Sequence, residues 1–315
     1  MMGAAVPGPP SSLCKWAFCW TNHRGEKSRP WKEAIKAPLF LGQPACLPPK
    51  QQKTSRPITS GVSLFKALPP FCFSFLCFRL TSSQVALMEE DFCTVERRDA
   101  RLTYSQFIQQ YAFSRPVILQ GITDNSEFQA QCTKEKLLAR YGDRLVRLST
   151  ANTYSYRKVD LAFQDYVDQF LEPQDQTSLG SETLYFFGDN NFTEWGPLFQ
   201  KYRPPPFRIP GTTGAYSFGI AGSGSGVPFH WHGPGYSEVI FGRKRWFLYP
   251  PEKTPDFHPN RTTLSWLLDT YPFLPPWERP LECTIRPGEV LYFPDRWWHA
   301  TLNLDTSVFI STFLG

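Results

Sequence analysis

This sequence predicts an α+β fold that is mainly β, its short strands closing into a barrel or jelly roll behind a helical N-terminal lead. Three observations carry that expectation. After Pro210, about eight short β-rich runs follow one another with Gly and Pro between them. Between roughly residues 95 and 210, apolar residues recur at helical spacing in three segments, with strand-like runs between them. Before residue 89 there is neither period, and the composition resists packing. Three units are therefore expected: a disordered or atypical extension over 1–88, an α/β lead over 89–210, and the barrel core over 211–315.

The extension holds eleven Lys and Arg against Glu26 and Glu33, a net of +9. With +5 for the whole chain, the remainder carries 5 − 9 = −4. A mildly acidic body argues against a nucleic-acid-binding domain. One apolar run, Ala67 to Phe78 ("ALPPFCFSFLCF"), stands out there. It is shorter than the roughly 20 residues that cross a bilayer, so no transmembrane span is expected. Its length suits the apolar part of a secretion signal, although it lies far from Met1. Cys14, Cys19, Cys46, Cys72 and Cys77 belong to the extension, and only Cys93, Cys132 and Cys283 to the body. Three cysteines allow at most one disulfide, whose partners the sequence leaves open. Without a CxxC pair a zinc knuckle is not expected.

In the lead, "LTYSQFIQQYAF" (Leu102–Phe113) predicts a helix. Thr103 and Gln106 make a capping box, and Tyr104, Phe107, Ile108 and Tyr111 share one face. "RPVILQG" predicts a buried strand. "TKEKLLARYGD" predicts a second helix stopped by Gly142 as its C′ residue. "LVRLS" reads as a strand, "LAFQDYVDQFL" as a third helix buried along Phe163, Tyr166, Val167 and Phe170, and "ETLYFFGD" as a strand. The barrel strands are expected at Ala215–Ile220, Val227–His232, Ser237–Phe241, Lys244–Tyr249, Leu281–Ile285, Glu289–Phe293, His299–Asn303 and Ser307–Phe313. "NRTTLSWLLDTYPFL" interrupts them with one or two helical turns.

His230 and His232 stand at i, i+2 on one of these runs and so point to the same face. His299 opens a later run. Antiparallel barrel strands distant in sequence meet inside a barrel, so the three imidazoles can converge on a metal ion.

"GSGVPFHWHGPGYSEVIFGRKRWFLYPP" and "ECTIRPGEVLYFPDRWWHATLN" together resemble the JmjC family of Fe(II)- and 2-oxoglutarate-dependent oxygenases. The resemblance covers about residues 95 to 315 and is densest from 215 onward. It implies a double-stranded β-helix of the cupin type, with His230 and His299 as metal ligands and Fe(II) and 2-oxoglutarate as cofactors. Lys244 would pair with the far carboxylate of 2-oxoglutarate. Two departures stand out. The family places Asp or Glu where this chain has His232, and a hydroxyl three residues before the first histidine where this chain has Val227. An imidazole in place of a carboxylate removes one negative charge at the metal. Three-histidine iron occurs in thiol dioxygenases of related barrel shape, so metal binding by His230, His232 and His299 is still expected.

These readings imply a non-catalytic or catalytically degenerate binding or regulatory protein of the secretory pathway, with protein partners that include itself. The alternative is an oxygenase that hydroxylates a protein side chain through a three-histidine site, and whether the chain is an enzyme stays open. Asn191-Phe192-Thr193 and Asn260-Arg261-Thr262 are glycosylation sequons in loop-like settings, which suits the lumen of the endoplasmic reticulum. The position of the apolar run keeps the cytoplasm as the alternative.

Overall fold

The computed structural model describes residues 92–155 and 157–315. The extension over 1–88, its apolar run and its five cysteines lie outside the described residues.

Residues Arg97–Arg98 (β1) and Val117–Gln120 (β2) begin the fold, with helix α1 (Tyr104–Gln110) between them. The Thr103–Gln106 capping box forms in both directions. Helices α2 (Ser126–Gln131) and α3 (Lys134–Tyr141) follow, then β3 (Leu145–Thr150), β4 (Lys158–Ala162), α4 (Phe163–Gln169), β5 (Leu184–Phe187) and α5 (Phe192–Phe199). The barrel strands are β6 (Gly214–Ala221), β7 (Gly235–Phe241), β8 (Lys244–Tyr249), β9 (Leu281–Ile285), β10 (Glu289–Phe293), β11 (Trp298–Asn303) and β12 (Ser307–Leu314). Helix α6 (Thr263–Asp269) and a 3-10 turn at Tyr271–Phe273 form the insertion between β8 and β9.

Two sheets result. One runs β1-β2-β10-β7-β12-β6-β5-β3-β4, the other β11-β8-β9. They close on each other through Val239, Leu291 and Phe293 from the first and Trp246, Leu248 and Cys283 from the second. The lead strands extend the large sheet, since β5 pairs with β6. Helices α4 and α5 cover its outer face, where Phe163, Tyr166 and Trp195 pack on Phe218 and Ile310. This is the jelly-roll architecture of the cupin class, read from alternation: each central strand sends one set of side chains inward and the other outward.

Several expectations change. Val227–His232 is not a strand: it meets β11 through one isolated bridge, His230 to His299. Gly142 caps α3 in a right-handed conformation rather than as a left-handed C′ residue. Asn191 ends the irregular segment before α5 and is its N-cap, its side chain accepting from the Thr193 N–H. Helix α5 went unread because it contains Gly196-Pro197, and α2 because its six residues are too few to show a period. Cys93 pairs with Cys283, tying the segment before β1 to β9, and Cys132 is a buried free thiol.

Candidate metal centre and the buried lysine beside it

The segment before β7 runs along β11 without entering the sheet. Asn303 donates its backbone N–H to Ser225, Thr301 to Val227, and His230 and His299 exchange both backbone bonds at 3.1 and 2.8 Å. That pairing sets the His230 ring 4.2 Å from the His299 ring and 5.4 Å from the His232 ring. The ligand nitrogens of the three residues lie within 4.8 Å of one another.

Each ring is oriented by a backbone carbonyl. Nδ1 of His230 lies 2.9 Å from the Pro228 oxygen, that of His299 2.9 Å from Trp297, and that of His232 2.8 Å from Gly233. A carbonyl only accepts, so each Nδ1 carries the proton and each Nε2 keeps a free lone pair. This arrangement aims metal-binding histidines. The Nε2 atoms of His232 and His299 stand 3.2 Å apart. Two lone pairs at that separation repel unless a cation lies between them. Nitrogens about 2.0–2.1 Å from one metal, at right or tetrahedral angles, are separated by about 2.8–3.4 Å. The donor set therefore fits a divalent ion.

Aromatic rings wall the centre. Phe293 stacks on His299 at 4.9 Å, Trp246 lies 5.7 Å from the same ring, and Phe313 meets His232 at 4.9 Å. Burial in these surroundings disfavours the imidazolium. It lowers His230 to about 3 and His232 to about 4, and holds His299 well below its ordinary value. All three are neutral at pH 7, as ligation requires. His230 and His299 are buried, while His232 is half-buried. Among the described residues, the indole N–H of Trp246 is buried without a partner.

Lys244 occupies the inward face of β8, opposite Asn303 of β11. It is 2 % exposed. Its ammonium donates to the Tyr185 hydroxyl at 2.9 Å and to Asn303 Oδ1 at 3.4 Å. Among the described residues no carboxylate pairs with it, and desolvation pushes its pKa well below that of an ordinary lysine. The Thr301 hydroxyl accepts from the Val227 backbone N–H at 3.2 Å. Sequence reasoning missed Tyr185, Thr301 and Asn303. The signals were period-2 alternation in "LYFF", which turns Tyr185 inward, and in "HATLN", which puts Thr301 and Asn303 on the His299 face.

Of the two sequon asparagines, Asn191 is exposed. Asn260 is half-buried, its Oδ1 accepting from the Ser181 N–H, and the Thr262 hydroxyl of its sequon is buried in the α6 cap. His258 is exposed.

Residues 104–313 match the family described as Cupin-like domain. JmjC domain-containing protein 8 of Homo sapiens is 78% identical over 230 residues, covering 73% of this chain and 87% of that protein. The protein of the same name from Rattus norvegicus is 77% identical over 233 residues, covering 74% of this chain and 86% of that one. Lysine-specific demethylase JMJ21 of Arabidopsis thaliana is 30% identical over 247 residues, covering 69% of this chain and 25% of that one. A closed two-sheet barrel, converging histidines on its inner face and these matches have one reading: the chain belongs to the JmjC family of cupin-like proteins.

Proposed function

We propose that this chain is a metal-binding barrel of the secretory pathway that acts as a binding and regulatory protein, with protein partners that include itself, rather than as a 2-oxoglutarate oxygenase. The observation that carries this reading is His232. Three neutral imidazoles leave a bound Fe(II) its full double charge, whereas a carboxylate ligand would lower that charge and favour its oxidation. The Cys93–Cys283 disulfide and the exposed sequon at Asn191 support an oxidising, luminal compartment. Phe273 and Trp277, 82% and 77% exposed on the β8–β9 insertion, support protein contact.

A second reading, hydroxylation of a protein side chain through the three-histidine site, is supported by the inward Lys244 and by a relative named as a bifunctional arginine demethylase and lysyl-hydroxylase in Caenorhabditis elegans. In that case bound iron would supply the oxidative chemistry. His230, His232 and His299 would hold it, and Lys244 and Tyr185 would orient the 2-oxo acid.

The two readings separate in one experiment. Purified protein is analysed for metal, then assayed for succinate release from 2-oxoglutarate. Bound metal without succinate is the expected result; stoichiometric iron with sustained succinate release overturns the first reading.

A further inference from the structure

The Lys244 ammonium has three N–H groups. Tyr185 and Asn303 take two of them. On the remaining side lies a phenyl ring: Nζ is 3.5 Å from the centroid of Phe309. An ammonium over an aromatic face is held by the ring's negative quadrupole, most strongly where water is excluded. Phe309 is 1 % exposed, with Tyr185 at 6.2 Å and Phe187 at 5.4 Å.

The backbone is shaped to admit this ring. Phe309 on β12 pairs directly with Gly219 on β6. A Cβ at position 219 would lie 2.7 Å from two Phe309 ring carbons, so only glycine leaves room for the phenyl group. On the other side of β12, the register to β7 shifts between Val308 and Phe309. A bulge of this kind re-aims a side chain.

We propose that Phe309 is a specificity-determining residue that closes the Lys244 pocket to dicarboxylates, so that the three-histidine centre works without a 2-oxo acid anchored on Lys244. The aromatic face takes the direction from which a carboxylate oxygen would reach the ammonium. The inference deepens the binding-protein reading: the missing carboxylate ligand and the closed anion pocket are independent departures that remove the same chemistry.

The test uses the full chain. Glutarate, which has both carboxylates but no 2-oxo group to chelate a metal, reads the Lys244 pocket whether or not metal is bound. Calorimetric titrations with glutarate compare wild type with Phe309→Ala and with the milder Phe309→Val. Circular dichroism checks the fold, and Co(II) absorption reads the histidine centre separately. Wild type is expected to bind no glutarate at millimolar concentration. The variants should gain about 10- to 100-fold in affinity, the contribution of a hydrogen bond to a charged partner. Adding Lys244→Met should abolish the gain. Glutarate binding by wild type as tight as by the variants overturns the proposal, and so do folded variants that gain nothing. Failure of wild type to bind Co(II) would instead count against the metal-centre reading and leave the glutarate result standing.

Discussion

Gly226 and Thr301 stand closer than any side chain allows: a Cβ on Gly226 would lie 1.7 Å from the Thr301 carbonyl oxygen. This contact lets the segment that carries His230 lie along β11, which carries His299. Gly226→Ala is expected to destabilise the fold by about 1–3 kcal/mol through overpacking. It should also weaken Co(II) binding by about tenfold or more, since the rings are aimed by that pairing. Parallel denaturant and metal titrations check both; unchanged metal affinity in a destabilised variant would separate the contact from the site.

His232→Asp restores the family's ligand charge. If charge is the only defect, iron affinity should rise by about tenfold or more, ~1.4 kcal/mol per decade. Competition with a chromogenic chelator measures it. No gain would place the defect at Val227 or in pocket shape instead.

Metal binding should resist acid. With His230 lowered to about 3 and His232 to about 4, protons compete poorly until the pH approaches 4. An exposed histidine site would begin to lose metal near pH 6.5. The same shifts bear on stability. The unfolded imidazoles take up protons below about pH 6.5 while the folded ones do not, so this contribution is present above that pH and lost as pH falls toward 4. Co(II) absorption and unfolding midpoints across pH 4–8 read both effects.

Removing the disulfide by Cys93→Ala with Cys283→Ala should cost about 2–5 kcal/mol, because the cross-link closes a long loop in the unfolded chain. The two cysteines are 190 residues apart. Unfolding with and without reductant should reproduce the difference in wild type and show none in the variant.

Glycosidase treatment of protein expressed through the secretory pathway should shift its mobility, and Asn191→Gln should remove the larger part of the shift. Asn191 is exposed, whereas the second sequon has its Thr262 hydroxyl buried in a helix cap. Absence of any shift in the wild type would count against the luminal assignment.

Much of the barrel was readable from local pattern. Strands β8, β9 and β10 fall at the residues their alternation marks, and the Thr103–Gln106 box starts α1 where expected. These features depend on neighbours a few positions apart, which the sequence displays directly. The pattern around His230 is strand-like, but only an edge contact with β11 forms there.

What the sequence determined by itself was the periodicity of the elements, the family motifs, and the histidine standing where an acid is usual. Each is a property of residue type and short spacing. Tertiary structure alone decided which cysteines pair, that the ligand nitrogens of three histidines gather within 4.8 Å, and that Phe309 covers Lys244. Those relations join strands far apart in the chain, and they follow from sheet register and the direction of each pleat, which no local pattern encodes.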